Sequence, residues 1–317
     1  MPETTRKIHF PLNALFFLTA LGLTAWATGA HAQSPAPTTP STPTTVVTPT
    51  DHLYQLTSQW LGLPYGIGPL GEGDGGNYDQ DPLYRFDQFD CVTFVETAIA
   101  SVTTTDFAAF EKKMNQIRYE NGKVDFVSRN HFSEVDWLPN NLQNGTLYEV
   151  IGQAEKKASK PFPYAVATID KKNWYAKMTL ATLKVAGLTD RQKRKRLKDL
   201  QSEGKKMPAE VSRLPYIPTE EFFGTDGSFK SDVIDGLPNV MVLSVIRPGW
   251  DLKAAIGTEM NISHQGFLLK MGSKWVVRHA TNDSRNRVVE DSLEDFLKKF
   301  IGSPTIRGIH IVGVTGL

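Results

Sequence analysis

The segment YRFDQFDCVTFVETAIASV, residues 84–102, decides the fold because it places the only cysteine of the 317-residue chain at the start of a predicted helix. Asp90 is a favourable helix N-cap, and apolar residues recur after it at helical spacing as far as Val102. Cys91 is therefore expected in the first turn of a largely buried helix, where it faces the positive end of the helix dipole. That dipole lowers a thiol pKa by only about one unit, so a reactive thiolate also needs a histidine partner.

Two histidines downstream, His264 and His279, lie on successive strand-like segments of the sequence ISHQGFLLKMGSKWVVRHA, residues 262–280. A hairpin loop of two or four residues places both on one face of the sheet. With Met271 and Gly272 as the loop, they would be directly opposite each other. A three-residue loop would place them on opposite faces.

The helix and the hairpin together indicate a catalytic site. Cys91 would attack an acyl carbon with its own backbone N–H helping to hold the oxyanion, while His264 would act as base and then as acid. His279 would orient His264 through its other ring nitrogen. The histidine face of the sheet, shared with Trp275 and Val277, is expected to pack against the Cys91 helix. The alternative is that Cys91 is a buried packing residue and the histidines are ordinary sheet residues.

The first 50 residues are predicted to be targeting and linker sequence. Two basic residues precede an apolar run at 10–30 whose end allows cleavage after Ala32, which is typical of a secretory signal peptide at residues 1–32. Residues 33–50 are rich in Pro, Thr and Ser and are predicted to be a disordered linker. The mature chain is expected to be exported, to the periplasm or the extracellular space, without stable membrane insertion; retention of the run as an anchor is the alternative. In such a compartment a lone thiol favours a functional role.

Residues 51–317 are predicted to form one α+β domain, because helical patterns come first and strand patterns follow from Asn239 onward. The middle holds a strongly basic tract, DRQKRKRLKDLQSEGKK, within a predicted helical insertion at about residues 171–206. Most charge runs of this kind are solvated helix faces; contact with acidic wall polymer or lipid head groups is the alternative. The formal net charge of +1 gives no argument for a nucleic-acid partner. The oligomeric state stays open.

Four motifs together resemble a known superfamily. LGLPYGIG (61–68) and FDCVTFVE (89–96), followed far downstream by SHQGFLL (263–269) and VVRHAT (276–281), are similar to the NlpC-type superfamily of papain-like cell-wall cysteine hydrolases, and within it to the N-acetylmuramoyl-L-alanine amidase-like branch. The resemblance implies a papain-like fold, in which N-terminal helices carry the nucleophile and pack on a C-terminal antiparallel sheet. It implies peptidoglycan fragments as substrate, with no metal and no cofactor.

By position, the resemblance makes Cys91 the nucleophile, His264 the general base and His279 the third, orienting residue. It also places Tyr65 in the lining of the site near the nucleophile.

Further substrate contacts are expected from two segments. In SRNHFSEVDW, residues 128–137, the resemblance implies that Arg129, His131 and Trp137 line the substrate cleft. The alternative for that segment is a capped turn with Trp137 in the core. Asp90, beside the nucleophile, is the other expected contact.

Two bonds of peptidoglycan are candidates for cleavage. The first is the amide between N-acetylmuramic acid and L-Ala, and the second is the stem-peptide bond after D-Glu, which an endopeptidase would cut. An acidic residue that pairs with a free L-Ala amine would favour the endopeptidase. Four acidic residues lie near the nucleophile in sequence: Asp79, Asp81, Asp87 and Asp90.

Two other classes of function stay open. Three histidines can form an open catalytic zinc site, here His131, His264 and His279, although no HExxH or similar compact ligand pair is present. The other class is a wall-binding protein whose catalytic site has decayed. The presence of all three proposed catalytic residues argues against it.

Overall fold

The computed structural model describes residues 48–317, so the signal-peptide prediction and nearly all of the linker prediction fall outside the described residues. Helix α1 (Pro49–Gln59) begins directly after Thr48, whose hydroxyl accepts a hydrogen bond from the Asp51 N–H, while the Asp51 carboxylate accepts one from the Thr48 N–H. Folded structure therefore begins slightly before the boundary predicted at residue 51. Between residues 48 and 317, no helix has the length and apolar character needed to cross a membrane.

The remaining elements follow an α+β order. The further helices of the described region are α2 (Cys91–Val102), α3 (Phe107–Arg118), α4 (Leu138–Gln143), α5 (Ile151–Ala158), α6 (Lys171–Lys177), α7 (Asp190–Gly204), α8 (Lys253–Ile256) and α9 (Leu293–Lys298). The strands are β1 (Leu147–Glu149), β2 (Tyr164–Asp170), β3 (Ala209–Pro215), β4 (Ile217–Pro218), β5 (Val240–Asp251), β6 (Glu259–Met271), β7 (Lys274–Thr281), β8 (Arg287–Ser292) and β9 (Gly308–Val314). Short helical turns occupy Glu120–Gly122, Phe126–Ser128, Ser133–Trp137, Leu180–Thr182 and Thr219–Phe222.

The main sheet is antiparallel, with strand order β1-β9-β5-β6-β7-β8 and with β4 paired to β9. The two longest strands, β5 and β6, lie at its centre. Their apolar residues are buried on both faces, as expected for strands that are covered on both sides. The predicted α+β class, with helices first and an antiparallel sheet second, is confirmed.

Helix α2 packs on one face of this sheet. Its residues Phe94, Val95 and Ile99 are fully buried in one cluster with Phe267 and Leu269 of β6. The rings of Phe94 and Phe267 lie 5.8 Å apart at 67°. Burial of a large apolar side chain contributes roughly 1.5–3 kcal/mol. Helix α2, which begins at Cys91, is thereby fixed against β6, the strand that carries His264.

The opposite face of the sheet is covered by α5 and α9. Trp275 and Val277 are buried there with Leu293 and Phe296 of α9. The prediction that their face packs against the Cys91 helix is therefore wrong. Alternation shows which residues share a face, but it cannot show which helix covers that face when both faces are apolar.

Two strands, β2 and β3, flank the predicted helical insertion in the chain and pair as a second, antiparallel sheet. Helices α6 and α7 lie between these two strands in the chain, within the predicted range 171–206. The strands were missed because they are far apart in sequence, so no turn signal links them. Helix α7 carries most of the basic tract and is largely exposed, in agreement with a solvated face.

Candidate active site

Cys91 is the first residue of α2 and is half-buried. The Oδ1 of Asp90 accepts hydrogen bonds from the backbone N–H groups of Thr93 at 2.7 Å and Val92 at 3.1 Å, so the predicted N-cap is confirmed. The backbone N–H groups of Gln265, Val92 and Cys91 itself are close enough to stabilise negative charge on the sulfur. The sulfur therefore lies beside the backbone of β6 at Gln265, the residue directly after His264.

Burial, followed by the nearby Asp90 carboxylate, raises the pKa of the Cys91 thiol to about 12. The resting cysteine is therefore a neutral thiol at physiological pH. Acyl transfer from this site would need a base that removes the thiol proton as the sulfur attacks.

His264 and His279 contact each other, with the Nε2 of His264 2.7 Å from the Nδ1 of His279 and the two rings at 82°. The hairpin loop has two residues, Gly272 and Ser273, so the prediction that both histidines share one face is confirmed. This loop begins one residue later than the loop Met271–Gly272 that would place the histidines directly opposite each other. His264 and His279 are therefore offset by two positions along the paired strands.

Burial and the neighbouring His279 ring lower the pKa of His264 to about 3, so the resting imidazole is neutral. Its Nε2 is used by the contact with His279, and its Nδ1 has no hydrogen-bond partner within residues 48–317. No hydrogen bond joins His264 directly to Cys91 in this part of the chain. An unprotonated ring nitrogen suits a general base, and catalytic hydrogen bonds are often long before substrate binds.

Asp291 belongs to this cluster and was missed by the sequence analysis. It lies on β8 opposite Val277, and its Oδ2 is 3.5 Å from the Nε2 of His279. Burial acts to raise the pKa of Asp291, but hydrogen bonds from His279, Arg285 and Lys299 outweigh it and hold the pKa well below its usual range. Only the β7–β8 pairing reveals this contact, since no sequence spacing links a strand carboxylate to a histidine on the preceding strand.

Tyr65 lies beside the nucleophile, as the resemblance implied. Its backbone pairs with that of Phe89, two residues before Cys91. Burial, followed by the charges of Cys91 and Asp90, raises the pKa of the Tyr65 hydroxyl. The hydroxyl therefore stays protonated and can donate a hydrogen bond at the site.

The glycine-rich segment after Tyr65 is held by the insertion. The Nζ of Lys184 donates a hydrogen bond to the Gly68 carbonyl at 2.8 Å, and the Lys184 backbone pairs with that of Asp79. Arg196 of α7 donates to the Asn77 carbonyl. The insertion therefore fixes a segment that begins just after Tyr65, which lies beside the nucleophile.

A cleft of about 480 Å³ opens between this glycine-rich segment and α6, and we call it the insertion cleft. Residues that line it include Ile67, Gly68, Arg129, His131, Trp174 and Lys177. The structure thus places two of the three residues predicted from SRNHFSEVDW in one cleft. The Arg129 guanidinium is already paired there with the carboxylates of Glu72 and Asp79.

Trp137 does not line a cleft. Its side chain is 1% exposed, and its Nε1–H donates a hydrogen bond to the Glu96 carboxylate at 3.0 Å. The prediction of a substrate contact is wrong for this residue, because a side chain enclosed in the core cannot reach a ligand. The alternative, a tryptophan in the core, is correct.

The histidines proposed for zinc are not gathered into one site. His131 packs between Phe126 and Trp174, and its Nε2 lies 2.7 Å from the Phe126 carbonyl. Within residues 48–317, no group of three His, Cys, Asp or Glu side chains is arranged to hold a metal ion. The zinc alternative, with His131, His264 and His279 as ligands, therefore has no support in the described residues.

Comparison with known proteins adds to this geometry. The N-acetylmuramoyl-L-alanine amidase-like family, AmiA-like, matches residues 55–303. No curated protein matches the chain. A solved Legionella pneumophila protein of the family DUF1460 is 35% identical with a TM-score of 0.79, over 84% of this chain and 89% of its own. A solved Bacteroides uniformis N-acetylmuramoyl-L-alanine amidase is 20% identical with a TM-score of 0.56, over 84% of this chain and 98% of its own.

The second likeness shows a shared fold alone, because its identity is low. The family match is different, since it runs from α1 past the end of α9 and contains both the cysteine helix and the histidine hairpin. The chain therefore belongs to the N-acetylmuramoyl-L-alanine amidase-like family.

Proposed function

We propose that this chain is an exported cysteine amidase of the papain-like NlpC type, which cleaves peptidoglycan between N-acetylmuramic acid and L-Ala. The observation that supports the proposal is the contact of the His264 Nε2 with His279, which leaves Nδ1 without a partner within residues 48–317, on the strand whose Gln265 N–H lies beside the Cys91 sulfur. Family membership supports an amidase-like hydrolase of peptidoglycan. The pattern of residues 1–32 supports export.

In the first half of the reaction, the Nδ1 of His264 takes the thiol proton of Cys91 while the sulfur attacks the lactyl carbonyl carbon. The carbonyl oxygen becomes an oxyanion, to which the Cys91 backbone N–H can donate. The bond to the L-Ala nitrogen then breaks, and His264 returns the proton to the leaving amine. In the second half, water activated by His264 hydrolyses the thioester and releases the sugar carboxylate.

The buried surroundings couple these proton transfers. Burial raises the pKa of Cys91 and lowers that of His264, so neither charged partner is favourable alone. A thiolate and an imidazolium would therefore form together, each compensating the other. We expect deprotonation of Cys91 and attack on the substrate to be coupled.

The insertion cleft supports a substrate larger than a simple amide. Its wall begins just after Tyr65, which lies beside the thiol. Trp174 presents an aromatic surface on which a sugar ring can pack. Lys177 donates only to the Ala254 carbonyl within the described residues, so its ammonium is available to a stem-peptide carboxylate.

One observation favours the endopeptidase as the second candidate. Three of the four acidic residues near the nucleophile are paired with cations: Asp79 with Arg129, Asp81 with Lys184, and Asp87 with Arg85. Asp90 differs, because its Oδ1 caps α2 while its Oδ2 has no hydrogen-bond partner within residues 48–317. That oxygen could receive a free L-Ala amine.

The test is digestion of a defined muropeptide by the mature chain, with the new termini identified by mass spectrometry. A new lactyl carboxylate supports the amidase, whereas a new D-Glu carboxylate supports the endopeptidase. The Cys91→Ala variant is the matched control and is expected to give neither product. Thiol alkylation is expected to stop the reaction and chelators to leave it unchanged. Turnover that survives alkylation but is lost with a chelator would contradict cysteine catalysis.

A further inference from the structure

His279 lies between two polar groups that together determine where its proton resides. Its Nδ1 is 2.7 Å from the Nε2 of His264, and its Nε2 is 3.5 Å from the Oδ2 of Asp291. A neutral imidazole has one N–H and one nitrogen lone pair. The contact between the two rings therefore needs an N–H on one histidine and a lone pair on the other.

Two arrangements satisfy this contact. In the first, His279 is protonated at Nε2 and its Nδ1 accepts a hydrogen bond from the Nε2–H of His264, whose Nδ1 is then an unprotonated base. In the second, His279 is protonated at Nδ1 and donates to the Nε2 of His264, whose Nδ1 then carries the hydrogen. Only the first arrangement lets His264 accept the thiol proton of Cys91.

We propose that Asp291 is a positioning residue that selects the first arrangement and thereby fixes the tautomers of both histidines. An ionised carboxylate only accepts hydrogen bonds, so it favours an N–H at the Nε2 of His279 and repels a lone pair there. The contact of 3.5 Å is long for a hydrogen bond, but a charge acts over this distance. The inference rests on the proposed function, because it takes His264 as the base.

The surroundings keep Asp291 ionised and in place. Arg285, from the β7–β8 turn, donates to both carboxylate oxygens at 2.6 and 3.0 Å, and Lys299, just after α9, donates at 2.7 Å. Asp283 in the same turn also accepts a hydrogen bond from Arg285. The positive charges of Arg285 and Lys299 are matched by the negative charges of Asp291 and Asp283, so Asp291 acts on His279 by orienting its proton and the cluster adds no net charge.

Packing keeps the His279 ring from turning over. The residue is 2% exposed, and the Phe296 ring of α9 lies 5.3 Å from it at 75°. A ring flip, which would put Cδ2 and Cε1 where Nδ1 and Nε2 now lie, would need these neighbours to move. The tautomer must therefore be set by the hydrogen-bond partners in place.

The Asp291→Asn variant tests this role. Arg285 and Lys299 are expected to hold the new amide oxygen, which leaves the amide N–H₂ to donate to the Nε2 of His279 and to favour the second arrangement. Alkylation of Cys91 by iodoacetamide at neutral pH and turnover of a muropeptide are both expected to fall by roughly 10³-fold, since a wrong histidine tautomer costs about 10⁴-fold in a serine protease triad. A merely structural role predicts little change, because Asn has nearly the shape of Asp.

Nitrogen-15 NMR of histidine-labelled protein reads the tautomers directly. In the wild type, both His264 and His279 are expected to be protonated at Nε2, and Asp291→Asn is expected to move both protons to Nδ1. A wild-type spectrum with His279 protonated at Nδ1 overturns the proposal, even if no Asp291 variant folds.

Two further variants separate a failure of the Asp291 inference from a failure of the proposed function. Glu294→Gln makes the same change of charge on the exposed surface of α9, where Glu294 pairs with Lys298, and is expected to keep wild-type rates. His264→Ala tests the proposed function by itself, because unslowed alkylation of Cys91 in that variant would mean that His264 is not the base. If His264→Ala is slow while Asp291→Asn alkylates and turns over at wild-type rates, Asp291 has no positioning role.

Discussion

Gly266 lies across the hairpin from His279, and a β-carbon at position 266 would be 2.7 Å from the β-carbon of His279. The same β-carbon would be 3.0 Å from the Arg278 carbonyl oxygen. Contacts between β-carbons do not come this close in packed proteins, so β6 and β7 could not keep their spacing here. The missing side chain of Gly266 is what allows His279 to lie against His264.

The Gly266→Ala variant is therefore expected to lose activity and stability together. Overpacking costs about 1–3 kcal/mol of the free energy of unfolding. Turnover is expected to fall by roughly 100-fold, because a misplacement of about 1 Å can cost that much. Both are measurable by denaturant unfolding and muropeptide assays. Gly152→Ala on α5 is the control, since a β-carbon there meets nothing within 4 Å, and it should be neutral or stabilising. Wild-type turnover in Gly266→Ala would show that the close approach is not needed.

The parts of this site that sequence could predict are those with local signals. An N-cap followed by helical spacing located Cys91 at the start of α2, and the parity of a short loop put both histidines on one face. Asp291 could not be found in this way, because its contact depends on how β8 pairs with β7.

Other parts were ambiguous for physical reasons. Both faces of the central strands are apolar, so the sequence did not show that α9, a helix of only six residues, covers the histidine side. The residue type of Trp137 does not distinguish a place in a cleft from a place in the core. The hydrogen bond from its Nε1–H to Glu96 holds Trp137 in the core, and this contact is not visible in the sequence because Glu96 lies on a different helix.

The buried pair of Glu96 and Arg118 is expected to stabilise the junction of α2 and α3. Both side chains are almost fully buried, and Trp137 also donates to Glu96. Glu96→Ala would leave the Arg118 charge buried without its partner, which costs about 3–5 kcal/mol. Asp199→Ala is the matched control, because it removes an exposed partner of Lys195 on α7, worth at most about 1 kcal/mol. Equal losses of the free energy of unfolding in the two variants would contradict this difference.

His310 is expected to make the fold sensitive to acid. It is 1% exposed, its Nδ1 lies 2.9 Å from the Pro215 carbonyl, and burial lowers its pKa from 6.5 to about 4. The unfolded chain therefore binds a proton that the folded chain does not, and stability falls as the pH drops from 6.5 towards 4. The loss attributable to His310 is about 3 kcal/mol, at about 1.4 kcal/mol for each pH unit.

The measurement is the free energy of unfolding across that pH range for the wild type and for His310→Gln, which retains a hydrogen-bond donor. The variant is expected to lose less stability on acidification, and part of the remaining slope comes from His131, His264 and His279, whose pKa values burial also lowers. His52→Gln, at an exposed position of α1, is the control and should keep the wild-type slope. Identical slopes for His310→Gln and the wild type would show that His310 does not contribute.

The order of severity among the catalytic variants should follow from their separate tasks. His264→Ala is expected to cost nearly as much turnover as Cys91→Ala, because nucleophile and base act as one unit. His279→Asn is expected to keep measurable turnover, since an amide oxygen can accept the Nε2–H of His264 in place of the ring nitrogen now 2.7 Å away. His279→Ala should fall between these, because His264 then loses its fixed orientation.

Turnover of one defined muropeptide gives this order, once each variant has been shown to retain the wild-type melting transition. Cys91→Ala should pass that check, because the change removes little volume at a half-buried position. If His279→Asn is as inactive as Cys91→Ala while His264→Ala remains active, the roles of the two histidines are reversed. If both alanine variants turn over at nearly the wild-type rate, neither ring nitrogen moves the thiol proton, and the base must be sought elsewhere around Cys91.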